Sequence, residues 1–356
     1  MRMFELLRES AHEQVVWWHD ETLGLRCIVA IHNTVLGPAL GGLRMWPYAS
    51  EDEALRDALR LSRGMTYKAA VSGLNLGGGK AVLIGDPETG KSEALLRVLG
   101  RHIGALGGRF VVAEDLGTNV DDMEIIREET DCVVGVHEVS GGSGDPSPYT
   151  ALGALHGIEA CLQRRFGHDD LALATYAVQG AGGVGRHLVR LLRERGAKVF
   201  VADINDQRIE EVVDESGAEA VPMSQIYDID ATVFAPCAMG AVINEDTVPR
   251  LRCAIVAGCA NNQLESNQFG TALEQRGILY APDYAINAGG LINSAAELQG
   301  YDPARALQRV RRIRQVMTRI FAIAEREGIP TWQAADRMAE QRIRDISYTR
   351  QAFKAV

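Results

Sequence analysis

The sequence predicts an α/β fold in two domains, the second built on a doubly wound sheet, with a cleft between them. Apolar runs of strand length alternate with amphipathic helical stretches along 356 residues, a length that suits about two domains with a core each. Near the middle, Ser140-Gly-Gly-Ser-Gly-Asp-Pro-Ser-Pro148 has no periodicity and is the strongest linker signal, which puts the boundary between residues 145 and 146. Beyond it an apolar run leads straight into Gly180-Ala181-Gly182-Gly183-Val184-Gly185 and then a helical period, the pattern of a first strand-to-helix turn in a doubly wound sheet.

In order, residues 25–32 read as a strand, residues 33–38 carry turn signals, and Gly41 and Gly42 follow. Ser50 is an N-cap with acids at 51–53, opening a helix that runs through Leu55, Ala58, Leu59 and Ser62 to Gly64. The stretch 73–80, Gly-Leu-Asn-Leu-Gly-Gly-Gly-Lys, is expected to let backbone approach a bound molecule and to visit positive φ, with a short strand at 80–85. A helix at 91–106 and a strand at 109–113 come next, ending at Glu114 and Asp115. An acid at a strand end opening a glycine-containing loop suits an active site of an open α/β sheet. The alternative for Asp115 is a cap for the helix near 120–130, for which Asp121 and Asp122 are better placed.

Lys68 and Lys80 both sit among apolar and small residues, including Met65, Ala69, Ala81 and Val82. A lysine desolvated by such neighbours and by a second ammonium loses proton affinity and becomes a base near neutral pH. The alternative is a pair of surface lysines snorkelling past apolar stems.

In the second domain Thr150 opens a helix, residues 173–179 form the strand before the glycine turn, and residues 197–202 form the next strand, closed by Asp203. That placement of glycines and acid reads as a Rossmann NAD domain: the glycines permit a tight turn and close pyrophosphate approach at a helix N-terminus. Asp203 would accept from ribose hydroxyls and repel a 2′-phosphate, and Ile204-Asn205 offers no compensating arginine. Further strands end in small or polar residues, at Cys237-Ala238 and at Ala260-Asn261-Asn262, making room for a flat cofactor. The two asparagines are either turn residues or amide partners of nicotinamide or substrate. A long helical region from 291 to about 327 and a last helix from about 331 to 346 complete the chain.

A net charge of −10, from 37 basic and 47 acidic residues, argues against duplex nucleic acid and anionic membrane as partners. The N-terminus lacks an apolar signal core, and no apolar run is long enough to span a bilayer. Six scattered cysteines without a CxxC pair favour reduced thiols in the cytoplasm and no metal site.

The chain also resembles the leucine dehydrogenase branch of the glutamate/leucine/phenylalanine/valine dehydrogenase family. The matching stretches are Ile31-His32 through Leu36-Gly37-Pro38-Ala39-Leu40-Gly41-Gly42 to Arg44, Gly64 to Lys68, Gly73 to Lys80, and Glu114-Asp115. They continue with Pro236-Cys237-Ala238, Ala260-Asn261-Asn262-Gln263, Tyr280-Ala281-Pro282-Asp283-Tyr284 and Asn287-Ala288-Gly289-Gly290. The resemblance implies reversible oxidative deamination of an L-amino acid to its 2-oxo acid and ammonia with NAD, in a homo-oligomer. It implies an N-terminal catalytic domain, residues 1–145 rejoined by a C-terminal helix at about 331–356, and an NAD domain at 146–330. Carried over, Lys68 holds the substrate carboxylate with the backbone of Gly41 and Gly42, Lys80 is the general base, and Asp115 binds the amino group. Asn262 and Thr150 help place nicotinamide and substrate. Leu40, Met65, Ala113, Leu291 and Ser294 match the positions that line the side-chain pocket. Leu40 and Ala113 agree with the leucine enzymes, which usually have valines at the last two positions where this chain has Leu291 and Ser294. Leucine, valine or isoleucine is the expected substrate. A phenylalanine or tryptophan dehydrogenase of the same mechanism, or a silent NAD-binding protein, are the competing readings.

Overall fold

A computed structural model describes residues 3–354; residues 1, 2, 355 and 356, which the expected first domain included, lie outside the described residues. The backbone divides into two compact units. The first takes residues up to Asp145, then Ser294–Pro303 and the chain from Ala339; the second takes Pro146–Asn293 and Ala304–Met338. One break falls inside the predicted linker. The return to the first unit comes at 339, within the last helix, and Ser294–Pro303 also belongs to the first unit.

The first unit runs α1 (Met3–Ser10), β1 (Gln14–Asp20), β2 (Leu25–Asn33), β3 (Ala39–Trp46), α2 (Glu51–Val71), β4 (Gly77–Ile84), α3 (Glu93–Gly104), β5 (Phe110–Glu114) and α4 (Val120–Arg127). Its sheet has the order β1-β2-β4-β3-β5, antiparallel at β1-β2 and β2-β4 and parallel for β4-β3 and β3-β5. The apolar run of β2 is continuous because both its faces are covered. Cys27, Val29 and Ile31 pack with α3 and α4 residues such as Leu95, Leu99, Met123 and Ile126, while Ile28 and Ala30 pack under Ala54, Leu55 and Ala58 of α2. Ser50 caps α2, its side chain accepting from the Glu53 N–H as the sequence predicts.

The glycine stretch differs from expectation. Gly73 alone within it has a positive φ, +74°; Gly77, Gly78 and Gly79 are extended residues of a fully buried strand. They are glycines because neighbours crowd them. A Cβ on Gly77 would lie 1.8 Å from the Asn33 carbonyl oxygen, on Gly78 2.0 Å from the Thr66 backbone nitrogen in α2, and on Gly79 2.6 Å from the Phe110 ring. Residues 39–42, with the two glycines that follow the turn signals, are the start of β3.

The second unit runs α5 (Ser147–Phe166), β6 (Thr175–Gln179), α6 (Gly183–Glu194), β7 (Lys198–Ala202), α7 (Asp206–Ser216), β8 (Glu219–Ala220), β9 (Val233–Pro236), β10 (Ile255–Val256), α8 (Asn267–Gln275) and β11 (Leu279–Tyr280). Helices α9 (Asp283–Ile286), α10 (Gly289–Ala296), α11 (Pro303–Arg311), α12 (Ile313–Glu327) and α13 (Thr331–Lys354) follow, with α10 and α13 each continuing into the first unit. Its strands are all parallel in the order β11-β10-β9-β6-β7-β8. Counted from β6 this is 3-2-1-4-5-6, the doubly wound order, with the reversal beside the glycine turn. The expected long helix from 291 is instead three helices, because Gly300 adopts φ +77° and Pro303 begins a new helix. No described helix is long and apolar enough to cross a membrane.

Candidate active site

Lys80 lies in β4 between Gly79 and Ala81. Strand alternation puts it on the face shared with Val82 and Ile84, which pack against α2. It is 4% exposed. Its ammonium donates to Asp115 Oδ2 at 2.7 Å, although β4 and the end of β5 are separated in the sheet by β3. Gly42 of β3 makes this crossing possible: a Cβ there would lie 2.6 Å from the Asp115 Cβ and 3.1 Å from Lys80 Nζ. Pairing of β3 with β4 also lapses at Gly41 and Gly42, between Leu40↔Gly78 and Leu43↔Ala81. Sequence reasoning singled out Lys80, Asp115, Gly41 and Gly42, and the structure brings them together.

The electrostatics follow from burial. Lys80 is held below the ordinary lysine range first by desolvation, opposed by Asp115 and reinforced by the Arg44 guanidinium. A cation beside Lys80 is thus the Arg44 guanidinium. Burial alone would push the Asp115 carboxyl up; Lys80 and Arg44 outweigh it and hold the group at about 2. Glu114, one residue earlier, is pushed up to about 6 by burial and by Asp145, Asp115 and Asp122. Asp115 is set by its loop, its N–H donating to Thr118 Oγ1, which in turn donates to the Leu43 carbonyl at 2.8 Å. Asn119, not Asp115, caps α4.

Arg44 is the residue sequence reasoning passed over. Its Nε donates to Asp115 Oδ2 at 2.8 Å and its Nη1 to Asp57 Oδ2 at 2.9 Å. The alternation Gly42, Arg44, Trp46 along β3 was the signal available, since it places Arg44 on the Lys80 face once β3 is known to be a strand. Lys68 lies near the end of α2, half-buried, as does Met65; Leu40 is buried in β3 and Ala113 half-buried in β5.

In the second unit, Gly180 has φ +106°, and a Cβ on it would meet the Ala238 nitrogen at 2.9 Å. A Cβ on Gly185 would lie 1.9 Å from the Gly180 carbonyl oxygen, which lets α6 seat directly on the end of β6. Gly182, the N-cap of α6, makes no side-chain cap and has open space where a Cβ would be. The first-turn N–H groups of α6, near Gly183 and Val184, are left without a side-chain cap and suit an anion, with the Ser147 hydroxyl beside Gly183. Asp203 Oδ2 accepts from the Ala181 N–H at 2.6 Å, and Oδ1 from the Asn205 N–H at 2.9 Å; Ile204 beside it is exposed. These residues fit a dinucleotide: an uncapped helix end for the pyrophosphate and a carboxylate for a ribose.

Asn262 takes φ +50°, uncommon for a residue with a side chain. The corner is held from beneath. The Gln263 N–H donates to Asp283 Oδ2 at 2.8 Å, and the Asn287 amide donates to Asn261 Oδ1 at 2.8 Å and to the Cys259 carbonyl. Gln263, Asp283 and Asn287 thus support the corner. Cys237 and Ala238 follow β9, Ala260 is buried, and Thr150 in α5 donates to the Pro146 carbonyl. Leu291 belongs to the second unit and Ser294 to the first.

Against known proteins, residues 12–132 match the profile of the Glu/Leu/Phe/Val dehydrogenase dimerisation domain, and residues 200–350 match that of glutamate/leucine/phenylalanine/valine dehydrogenase. The chain belongs to the glutamate/leucine/phenylalanine/valine dehydrogenase family. It is 52% identical to a leucine dehydrogenase from Thermoactinomyces intermedius, covering 99% of this chain and 96% of that protein. It is 48% identical to a phenylalanine dehydrogenase from Bacillus thermotolerans, over 96% of this chain and 90% of that one. The crystal structure of L-tryptophan dehydrogenase from Nostoc punctiforme superposes with a TM-score of 0.86 at 45% identity, covering 97% of this chain and 99% of that one. Within the family the chain stands in the leucine dehydrogenase branch, as the sequence motifs imply. It is an amino-acid dehydrogenase, and membership brings a nicotinamide cofactor.

Proposed function

We propose that this chain catalyses the reversible oxidative deamination of a branched-chain L-amino acid to its 2-oxo acid and ammonia, with NAD as the cofactor. The observation that carries the chemistry is the buried Lys80–Asp115 pair at 2.7 Å over Gly42. Asp115 keeps one oxygen for Lys80 and Arg44; among the described residues its Oδ1 accepts no hydrogen bond, and it receives the substrate ammonium. Lys80, whose burial favours the neutral amine, takes the proton from the water that attacks the imine. Lys68 and the backbone of Gly41 and Gly42, where pairing to β4 lapses, hold the carboxylate. Leu40, Met65, Ala113 and Ser294, all of the first unit, are assigned to binding the substrate side chain, and Leu291 is carried over with them from the family resemblance.

Gly180 to Gly185, Asp203, Ile204, Cys237, Ala238, Ala260, Asn262 and Thr150 hold the dinucleotide. When bound, the dinucleotide would supply the acceptor for the hydride that leaves the substrate Cα. NAD is favoured over its 2′-phosphorylated form because Asp203 presents a negative charge where that phosphate would fall. The division of labour assigned here is catalysis in the first unit and cofactor binding in the second. A homo-oligomer is part of the reading, supported by the dimerisation-domain match. Cytoplasmic residence rests on six cysteines, all free.

The test is absorbance of NADH with NAD and each candidate amino acid. The expected order puts leucine, valine or isoleucine first; a best substrate of phenylalanine or tryptophan would replace the aliphatic assignment. Lys80→Ala should lower kcat about 10²–10⁴-fold. Full activity in that variant would remove Lys80 from the mechanism.

A further inference from the structure

We infer that Arg44, anchored by Asp57 and Tyr48, is a positioning residue that shares the Asp115 carboxylate with Lys80 and thereby tunes the base. This rests on the reading of Lys80 as the proton acceptor. Arg44 forks between two carboxylates, Nε to Asp115 Oδ2 at 2.8 Å and Nη1 to Asp57 Oδ2 at 2.9 Å. Asp57, on α2, is itself fixed by the Tyr48 hydroxyl at 2.6 Å and by Arg60 at 3.1 Å. Lys80 reaches the same Asp115 oxygen at 2.7 Å, so two cations converge on Oδ2 and leave Oδ1 without a hydrogen bond among the described residues. A planar guanidinium can hold both carboxylates at fixed geometry; an ammonium is a single point charge and cannot.

The consequence is a charge relay with alternating sign. Arg44 disfavours the protonated form of Lys80, while Asp115 and Asp57 favour it. Other titratable groups on the elements packed around β4 include Lys68 and Arg63 on α2, Glu114 on β5 and His32 on β2, which burial lowers to about 3, leaving it neutral, and whose Nδ1 is engaged with Thr66 Oγ1 at 2.8 Å. They are unchanged in the variants below. The outer end of the relay borders a hollow of about 350 Å³ lined by Arg44, Tyr48, Asp57, Trp46 and Leu116. Asp57 reaches Lys80 only through Arg44, so its pull on the Lys80 proton is weaker than that of Asp115, which Lys80 touches.

The experiment is the pH profile of kcat/KM for L-leucine with NAD in Arg44→Gln and Asp57→Asn. Loss of the Arg44 cation strengthens the hold of Asp115 on the Lys80 proton, and the acid limb should move up by about one pH unit. Loss of the Asp57 anion acts the other way, and the limb should move down by a smaller amount. Opposed shifts support the relay. A drop in rate with the limb unmoved, or shifts in the same direction, overturns it, because a merely structural defect lowers activity at every pH. If Arg44→Gln does not accumulate folded, Arg44→Lys carries the test: kcat/KM should fall about tenfold with little movement of the limb. Wild-type kcat/KM in that variant would overturn the proposal. Lys80→Ala separates the two readings: if it is fully active, the role of Lys80 fails; if it is inactive while the limbs stay in place, only the relay fails.

Discussion

At the scale of single residues, the two ends of the chemistry rest on carboxylates in different surroundings. Asp115 is held at about 2 by two cations that outweigh its burial, so it is ionised at any working pH. Asp203 is instead tied by two backbone N–H groups, at 2.6 and 2.9 Å. Under the role proposed for Asp203, its replacement by serine removes the charge set against a 2′-phosphate and keeps a hydroxyl for the ribose. The ratio of kcat/KM for NADP over NAD should then rise about tenfold or more, the equivalent of about 1.4 kcal/mol. An unchanged ratio would place cofactor choice elsewhere. Lys80, Asp115 and Asp203 were legible in the sequence because each ends or interrupts an apolar strand-like run. Arg44 was not, because its importance depends on β3 being a strand and on Gly42 being bare. Neither is visible until the register with β5 is known.

At the scale of elements, the glycines of β4 show how one composition supports two readings. A run of three suggests a loop, since glycine is the default for positive φ. Here the helix α2 and the sheet leave no volume for side chains, and the run is a strand. Burial pattern would have separated the cases, but burial is a tertiary property that no local period reports. Gly78→Ala should therefore destabilise strongly, by about 3 kcal/mol or more, since a Cβ would lie 2.0 Å from backbone nitrogen of Thr66. Gly64, in α2, has nothing within 4 Å of its would-be Cβ, and Gly64→Ala should stabilise by about 0.5–1 kcal/mol through helix propensity. Urea midpoints of the two variants check both. If they move together, glycine entropy rather than crowding governs the strand.

At the scale of the whole molecule, the chain passes from one compact unit to the other at Asp145, inside a stretch that has no period. The assignment of Ser294–Pro303 and of the chain beyond Ala339 was not legible in the sequence, since which unit a segment packs with depends on contacts distant in sequence. The outward-facing surfaces carry the last expectation. Strand β1 is an edge strand, hydrogen-bonded on one side to β2, and reads Gln-Val-Val-Trp-Trp-His-Asp. Trp17 on it is 48% exposed. An edge this apolar, without lysine or proline to blunt it, invites pairing with another chain unless something covers it. A second copy of this chain is the cover consistent with the dimerisation-domain match over residues 12–132. Light scattering should give a mass that is a multiple of 38.7 kDa. Trp17→Lys, which adds the charge that natural edges use against pairing, should shift the population toward smaller species. A wild-type mass of one chain at micromolar concentration would leave β1 an uncovered edge and refute the assembly. An oligomer indifferent to the lysine would move the interface to another face.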